Sequence, residues 1–369
     1  MDILVVGASI GGLSTAVALG AQGHRLTVVE QAGGRRSGGV AIDVRGKALD
    51  TARAMGVYED IYESRITENE AWEFVDGEGR TQASWRVAEQ FYDSPDDVEL
   101  LRDRLVEILA AHVPAGVEFR YDETLTGLSQ DGSGVTATYS ERAPERFDLV
   151  VGADGLHSTV RRLVFGPERD HLHHLGSYVG LVRGAYSLAG PGGTQIYNVP
   201  GRVMSVAGKS PEPVVMLAFR SPWLDYDYRD VDAQRRIVLS AFEGVSGWRV
   251  SDALAEVRTS GNFYFDSIAQ VRMPGWSNGR VVLVGDAGYG PSFFSGMGSS
   301  LAMLGADLLA GELSAGGSVE AALSRYEQRM RPHVTEAQSM ALDGMDLLFP
   351  QTQEAIDRRN AELNAIGRR

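Results

Sequence analysis

The sequence predicts an α/β fold in which a parallel-sheet domain carries an inserted domain of mostly antiparallel strands and a C-terminal helix follows. Two observations support this prediction. Short apolar runs lead into glycine-rich turns at residues 3–12, 149–155 and 281–298, as parallel strands lead into ligand-binding loops. Residues 171–270 contain apolar and aromatic runs separated by Gly and Pro, which is typical of antiparallel strands. We expect the chain to leave the first domain and return to it at least twice.

The first elements form one βαβ unit. Residues 3–6 are a continuous apolar run of strand length, residues 13–20 are Ala-rich and compatible with a helix, and residues 26–29 are a second apolar strand that ends at Glu30. A unit of about thirty residues with this pattern predicts a parallel sheet. Helical periodicity follows at residues 46–62.

Later segments are assigned by the same periodicities. Alternating aromatic and polar residues around Asp76 and Gly77 predict a hairpin over residues 71–86, and the apolar spacing predicts a helix over residues 98–112. A strand-rich passage follows at 117–140. The resulting boundaries place the parallel-sheet domain at 1–70, 97–168 and 271–330, the antiparallel-sheet domain at 71–96 and 169–270, and a helical segment at 331–369.

Composition limits the classes of partner. The chain has 369 residues, of which 35 are basic and 49 acidic, so its net charge of -14 repels nucleic acid and anionic membranes and favours a small-molecule partner. With no cysteine, the chain has no disulfides, thiolate metal sites or cysteine nucleophiles. No apolar run reaches the ~18 residues of a membrane span, and Asp2 with no basic stretch argues against a signal peptide. We expect a cytoplasmic protein.

The first glycine turn, GASIGG, departs slightly from the G-x-G-x-x-G pattern because Ser9 occupies the second position, between Gly7 and Gly12. Serine is small enough for the turn, and the helix that follows offers free N–H groups to phosphates. Glu30 has the chemistry and spacing to accept a hydrogen bond from a ribose 2′-OH and to repel a 2′-phosphate. The turn therefore predicts an unphosphorylated adenosine dinucleotide, either FAD or NAD.

The last glycine turn begins at Gly285 and Asp286, directly after the apolar run 281–284. Asp286 is therefore expected at the carboxyl end of a strand, where ligands of open α/β sheets bind. The loop continues through residues 296–298 into a helical segment whose N-terminus presents further N–H groups. Such a site can hold the second half of a long cofactor, including the negatively charged edge of a flavin.

A third signature lies between these two, at residues 148–164. In chain order, GASIGG with Glu30, GADGLHSTVR and VVLVGDAGYGPSFFSGMG resemble the motifs of the single-component FAD-dependent aromatic hydroxylases, the p-hydroxybenzoate hydroxylase class, whose relatives include tetracycline-inactivating monooxygenases. The resemblance covers residues 1 to about 330. It implies a Rossmann-like FAD-binding domain with an inserted, mostly antiparallel substrate-binding sheet.

The resemblance also implies a set of FAD-contacting residues, spread over the three motifs and one helix. The first motif is expected to bind the ADP part of FAD. The middle motif, with Arg161 nearby, is associated with the binding of both FAD and NAD(P)H. The last motif is expected to lie beside the ribityl chain and the isoalloxazine. These residues are Gly7, Ser9, Gly11, Gly12, Glu30, Arg102, Asp154, Gly155, Gly285, Asp286, Pro291, Gly296, Met297 and Gly298.

Three residues depart from the family pattern. Relatives often read Gly-Asp-Ala-Ala-His in the last motif, whereas this chain has Gly288 and Tyr289 at the final two positions. This puts in doubt any role of a histidine there and the usual movement of the flavin. Gln31 stands where an arginine often follows the ribose-binding acid, which weakens the expected adenosine end of the site.

Two other groups of residues are candidates for a site. His171, His173 and His174 form an HLHH segment, for which a solvated loop is favoured over a metal site because neither Cys nor an acid-rich partner is nearby. Four residues of the antiparallel sheet are candidates for contact with a substrate, their facing being undetermined by the sequence. They are Tyr178, Arg183, Tyr197 and Arg220.

The chemistry implied by the resemblance is an oxygen insertion. NADH or NADPH reduces FAD, dioxygen adds at the flavin C4a, and the resulting hydroperoxide delivers one oxygen atom to an aromatic or polyketide-like substrate. No catalytic side chain or metal is expected, because the cofactor carries the chemistry. Two alternatives stay open: a flavoprotein of the same fold with a non-redox role, such as a cyclase or a ligand-binding protein, and an NAD-dependent dehydrogenase.

Overall fold

The computed structural model describes residues 1–34, 40–66, 72–85, 94, 96–188, 193–207 and 212–366. The chain divides into two compact units. The first unit comprises Met1–Ile66, Asp93–His173 and Ala269–Ala341, and the second comprises Thr67–Tyr92, His174–Ile268 and Leu342–Arg369.

The elements are numbered in chain order through the described residues. The strands are β1 (Asp2–Val6), β2 (Arg25–Val29), β3 (Ala41–Val44), β4 (Trp72–Val75), β5 (Thr81–Trp85), β6 (Val98–Leu101), β7 (Glu118–Arg120), β8 (Leu125–Asp131), β9 (Gly134–Tyr139), β10 (Glu145–Phe147), β11 (Leu149–Gly152), β12 (Leu172–Arg183), β13 (Thr194–Val199), β14 (Arg202–Ala207), β15 (Val214–Arg220), β16 (Phe263–Val271), β17 (Ser277–Asn278) and β18 (Val281–Leu283). The α-helices are α1 (Ile10–Ala21), α2 (Lys47–Ala54), α3 (Tyr58–Glu63), α4 (Arg102–Ala111), α5 (Thr159–Phe165), α6 (Val231–Ala241), α7 (Val250–Thr259), α8 (Asp286–Tyr289), α9 (Gly298–Ser314), α10 (Val319–Leu348) and α11 (Gln353–Ile366).

The first unit is organised by a six-stranded sheet with the order β17-β18-β11-β1-β2-β7. All neighbouring strands are parallel except β17, which pairs antiparallel with β18. The central strands are continuous apolar runs buried on both faces, which is what a parallel sheet covered by helices requires. Val6, Val29 and Gly152 are register partners at the carboxyl edge of this sheet, so the loops that follow β1, β2 and β11 start side by side.

Two sequence-based assignments in the first unit were wrong in detail. Residues 98–101, predicted as helix, form β6, which pairs antiparallel with β3. Only Val98 and Leu100 are buried in this short strand, and its partner lies more than fifty residues earlier, so no local pattern distinguishes it from the helix that begins at Arg102. The helix predicted at 46–62 is two helices, separated at Gly56, which has a φ of 73°.

The second unit contains a seven-stranded sheet with the order β16-β12-β15-β14-β13-β4-β5. The predicted hairpin is confirmed over its described part: β4 and β5 are antiparallel, and Trp72 lies opposite Trp85. Residues 71 and 86 lie outside the described residues. The sheet is mostly antiparallel, as predicted, with β13 and β4 as a parallel pair.

Two helices, α6 and α7, interrupt the segment 171–270, which the sequence predicts to be mostly β. They cover one face of the second sheet through buried apolar residues such as Val238 and Val257, and Phe242, directly after α6, packs in the same cluster. A sequence signal for α6 exists, because Asp230 is an N-cap whose carboxylate accepts a hydrogen bond from the backbone N–H of Ala233 at 2.8 Å. Of the helices in the described ranges, none combines the length and hydropathy needed to cross a membrane.

Candidate cofactor site

The GASIGG turn brings the end of β1 against the loop that follows β11. Gly7 has a φ of 103°, and a Cβ atom there would lie 2.5 Å from the carbonyl oxygen of Ala153. A Cβ on Gly12 would lie 1.8 Å from the carbonyl oxygen of Gly7. Both distances are far below van der Waals contact, so only glycine permits this turn. The backbone of the first motif is thereby fixed against that of the middle motif.

The N-terminus of α1 follows this turn. Ser9 is the N-cap residue, yet within the described structure its side chain makes no capping hydrogen bond to α1. Its hydroxyl instead accepts a hydrogen bond of 2.6 Å from Nη2 of Arg102, the first residue of α4. The first-turn N–H groups of α1 are therefore not capped by Ser9, and a guanidinium lies beside them. This combination is suited to phosphate oxygens.

Glu30 directly follows β2, as the sequence predicts for a residue that binds a ribose. Its carboxylate accepts hydrogen bonds of 3.0 Å from the backbone N–H groups of Ala8 and Ala32. These bonds tie the carboxylate to the GASIGG turn and fix its position. Gln31, the departure noted next to it, is exposed.

The middle motif joins the end of β11 to the start of α5 through hydrogen bonds of Asp154. The Asp154 carboxylate accepts hydrogen bonds from Ser158 Oγ at 2.5 Å and from the backbone N–H groups of Thr159 and Val160 at 2.7 and 3.1 Å. Burial raises the pKa of this carboxyl, and the three hydrogen bonds act in the opposite direction. Asp154 thus binds the first N–H groups of α5, whose N-cap residue is Ser158, while a Cβ on Gly155, which has a φ of 81°, would stand in open space.

Arg161 connects the middle motif to the last one. It is fully buried, donates a hydrogen bond of 2.9 Å from Nη1 to the carbonyl oxygen of Ala287, and pairs with Glu168 at 3.3 Å. Burial lowers the pKa of Arg161. The guanidinium therefore fixes the turn that contains Asp286 relative to the loop that contains Asp154.

The acidic residue of the last motif, Asp286, is exposed to solvent. Gly285 has a φ of 66°, and Asp286 is exposed although the residues on both sides are buried. Ideal Cβ positions on Gly290 and Gly298 would lie 3.4 and 3.8 Å from Asp286 Oδ1, so the carboxylate lies near both backbone segments. Within the described ranges, α9 begins at Gly298 with no side-chain cap. The N-terminal N–H groups of α9 thus lie near the exposed Asp286.

The loop between these segments contains an unusual backbone. Ser292 has a φ of 97° and a ψ of 152°, a conformation that non-glycine residues rarely adopt. Its buried Oγ has no hydrogen-bond partner in the described part of the chain. Gln270 holds the preceding residue, because its Nε2 donates to the carbonyl oxygen of Pro291 at 3.1 Å. Gly296 closes the loop in the left-handed conformation, with a φ of 65°.

Sequence reasoning missed Arg45, which follows β3 and is buried. Its Nη2 donates to the carbonyl oxygen of Ser295 at 3.0 Å, its Nε lies 3.0 Å from the sulfur of Met297, and its backbone N–H donates to Ser300 Oγ at 3.1 Å. Arg45 therefore braces the loop that leads into α9. No local motif marks it, since its partners lie about 250 residues away in the sequence.

Tyr289, the main departure from the family pattern, does not face the site. It is fully buried, and its hydroxyl lies 3.0 Å from that of Tyr326, which also donates to the carbonyl oxygen of Leu283 at 3.0 Å. Burial raises the pKa of Tyr289 to about 12. Trp276 packs against the same ring at 4.7 Å. The tyrosine is a core residue of the first unit.

The four candidate substrate residues divide between the two faces of the second sheet. Tyr178 and Tyr197 belong to the apolar cluster under α6 and α7, where Tyr178 accepts a hydrogen bond from the backbone N–H of Leu224 at 2.7 Å and Tyr197 donates to the carbonyl oxygen of Ser246 at 3.0 Å. Arg183 and Arg220 follow Val182 and Phe219 of that cluster, so strand alternation directs them to the opposite face. These arginines pair there with Glu212 and Asp346, each at 3.1 Å.

The histidine segment is not a loop throughout, which corrects the prediction. His173 and His174 belong to β12, and His174 Nε2 lies 3.0 Å from the carbonyl oxygen of Ser221. His171 precedes the strand, and its Nε2 lies 2.9 Å from the carbonyl oxygen of Phe165. Across the described residues, no group of three or more His, Asp or Glu could hold a metal ion.

Comparisons with known proteins bear on the family and the fold. Residues 1–177 match the family model described as an FAD binding domain. An uncharacterized protein of Mycobacterium tuberculosis is 38% identical, with 96% of each chain covered. A flavin-dependent monooxygenase of Legionella longbeachae is 35% identical over 93% of this chain and 88% of its own. The crystal structure of the tetracycline destructase Tet(51) has a TM-score of 0.85 and 34% identity, with 98% of this chain and 95% of that chain covered. The predicted fold class is thereby confirmed.

Proposed function

Since the chain belongs to the FAD-binding flavin-dependent monooxygenases, we propose that it uses NADH or NADPH to insert one oxygen atom of dioxygen into an aromatic or polyketide-like small molecule. The observation that carries the proposal is the convergence of three glycine motifs in one unit. An ideal Cβ on Gly11 would lie 3.7 Å from the Cβ of Ala153 and 3.9 Å from the carbonyl oxygen of Val284, so the three motifs adjoin.

The donor set supports FAD as the ligand. One end combines the N-terminus of α1, Arg102 and Glu30, which suits a pyrophosphate next to a ribose. The other end combines the exposed Asp286 with the uncapped N-terminus of α9. A positive helix end suits negative charge on a flavin pyrimidine. Of the two candidate dinucleotides, FAD has both an ADP part for the first end and a flavin for the second.

In this proposal the bound FAD supplies the redox chemistry, accepting electrons from the nicotinamide and activating dioxygen. The protein contributes binding and positioning. Glu30 would accept a hydrogen bond from the ribose. Arg102 and the N–H groups of α1 would bind the pyrophosphate, and Asp286 would bind the ribityl region. The N–H groups of α9 stabilise negative charge, and Arg45 and Gln270 hold the loop that carries Pro291 in place.

The substrate proposal rests on the relatives and on the second sheet. Tet(51) is named as a tetracycline destructase, so a polycyclic, oxygen-rich aromatic is the substrate class to test first. Of the four candidate residues, we retain Arg183 and Arg220 as substrate contacts. The hydroxyls of Tyr178 and Tyr197 are already bonded within the covered face, and we assign these residues to packing.

The test is a coupled turnover assay. Protein loaded with FAD is mixed with NADPH or NADH and with members of a panel of phenolic and polycyclic compounds under labelled dioxygen, and nicotinamide oxidation, oxygen uptake and product mass are followed. We expect one compound class to stimulate nicotinamide oxidation with matching oxygen uptake and a product heavier by one labelled oxygen atom. Stimulated oxidation that yields only peroxide for every compound would contradict oxygen insertion into this substrate class.

A further inference from the structure

A cavity of about 590 Å³ lies within the second unit and is separate from every residue assigned above to FAD. It opens between the end of β15, the loop that follows it, and α6. Its volume is within the range of about 300–1,000 Å³ that is typical of small-molecule sites. The residues that define its chemistry are Arg202, Phe219, Leu224, Tyr226, Arg236 and Ile237.

The floor of the cavity is aromatic and rigid. Phe219 is buried and stacks near Tyr178 at 5.7 Å, and Tyr226 makes an edge-to-face contact with Phe265 at 5.3 Å. Both belong to the packed cluster beneath α6 and α7, so their rings are held in place by the core. Together with Leu224 and Ile237 they form an apolar surface suited to a planar ring.

Arg202 stands directly beside this floor, because it is the register partner of Phe219 on the neighbouring strand. Its Nε donates a hydrogen bond to the carbonyl oxygen of Ala241, the last residue of α6, which fixes the guanidinium at the cavity. Within the described ranges, the Arg202 side chain makes no other hydrogen bond or ion pair. A guanidinium held by Nε alone keeps its Nη groups available for a bidentate acceptor.

The remaining charges leave an excess of positive charge. Arg236 is exposed and lies 3.8 Å from Asp230, a distance at which an exposed ion pair is weak. Arg220 and Asp225 also line the cavity and carry opposite charges. The excess on Arg202 and Arg236 is local, since the chain as a whole has a net charge of -14. A negatively charged ligand is therefore favoured here against the overall charge of the protein.

We propose that this cavity is a second ligand site that binds small aromatic carboxylates, with the ring on Phe219 and Tyr226 and the carboxylate on Arg202 and Arg236. The cavity contains none of the residues assigned to FAD and shares only Arg220 with the proposed substrate contacts, and its occupancy needs neither nicotinamide nor dioxygen. A planar carboxylate matches the fork of a guanidinium, and a ring matches the apolar floor.

The test is isothermal titration of the FAD-loaded protein with 1-naphthoate, compared with 1-naphthamide, which has the same ring without the charge. We expect 1-naphthoate to bind with a change in heat but no change in the flavin spectrum, and 1-naphthamide to bind at least about tenfold more weakly, as the loss of a charge-assisted hydrogen bond predicts. Acetate should not compete, because it lacks the ring.

Three variants test whether 1-naphthoate binds in this cavity. Arg202→Gln and Arg236→Gln should each weaken 1-naphthoate binding, and the second tests the site without disturbing the hydrogen bond to Ala241. Arg258→Gln, on an exposed position of α7, is the matched control and should bind like the unmodified protein. The proposal is overturned by absent binding at millimolar 1-naphthoate, by equal binding of 1-naphthamide, or by unchanged binding in both cavity variants.

Discussion

The hydroxyl of Ser9 accepts a hydrogen bond of 2.6 Å from the guanidinium of Arg102. The serine that replaces the second glycine of the fingerprint is therefore joined to the arginine that begins α4, 93 residues later. The bond orients a cation toward the N-terminus of α1, where phosphate oxygens are expected. A substitution that looks like a weakened motif in the sequence thus becomes part of the binding geometry.

Replacing Arg102 should weaken FAD binding. Arg102→Gln removes a charge-assisted donor to phosphate, and we expect the dissociation constant of FAD, measured by quenching of flavin fluorescence, to rise about tenfold or more. Ser9→Ala should raise the dissociation constant of FAD less, because the positive charge of Arg102 is retained. Arg104→Gln is the matched control, since this exposed arginine of the same helix pairs with Glu107. Equal effects of Arg102→Gln and Arg104→Gln would remove Arg102 from the site.

The two ends of the site should respond differently to a ligand fragment. Glu30→Gln should weaken the binding of ADP and of FAD by similar factors, because the ribose contact belongs to both. Asp286→Asn should weaken FAD alone, because ADP lacks the flavin half. Titrations of both variants with both ligands check this assignment. Equal weakening of ADP by Asp286→Asn would show that the two ends are misassigned.

The hydroxyl of Tyr289 leaves no room for a side chain at Gly305. A Cβ on Gly305 would lie 1.9 Å from the hydroxyl of Tyr289 and 3.2 Å from its Cζ atom. Gly305→Ala should therefore lower the free energy of unfolding of the unmodified protein. In a Tyr289→Phe background the same change should be neutral or stabilising, because the obstructing oxygen is gone and Ala is favoured over Gly by about 1 kcal/mol inside a helix. Urea unfolding of the four proteins measures the coupling, and additive effects would contradict the packing described for this pair.

The buried phenol of Tyr289 also predicts a loss of stability in alkali. Its pKa is raised by burial to about 12 in the folded protein, against about 10 in an unfolded chain. A raised folded pKa gives a stabilising contribution that is complete below the unfolded pKa and is lost as the pH rises from about 10 through 12. The free energy of unfolding should therefore fall less steeply between pH ~10 and ~12 in Tyr289→Phe than in the unmodified protein. Parallel curves would contradict this prediction.

The sequence predicted the parts of the fold that have a local signature. The apolar strands at β1, β2, β11 and β18 and the glycine turns after them follow from residue type and spacing, because a turn at Gly7 or Gly285 admits few other residues. The strand β6 and the division of 46–62 into two helices were missed, because distant pairing and a single glycine decided them.

The site shows the same limit at the level of side chains. Glu30 and Asp286 could be placed by their position at strand ends, whereas Arg45 could not, because its partners lie on the loop before α9. The facing of Tyr178 and Arg183 was undetermined until the register of β12 was known. Tyr289 was marked as a departure, but only its contact with Tyr326 shows that it belongs to the core.

The central claim is that this chain holds FAD and passes electrons to it from a reduced nicotinamide. The most direct measurement is an anaerobic titration of the purified, FAD-loaded protein with NADPH and with NADH, with and without the polycyclic panel, while the flavin absorbance is followed. We predict bleaching of the oxidised flavin band, faster in the presence of at least one panel compound, and its return when air is admitted. A flavin that stays oxidised under every condition would contradict the account.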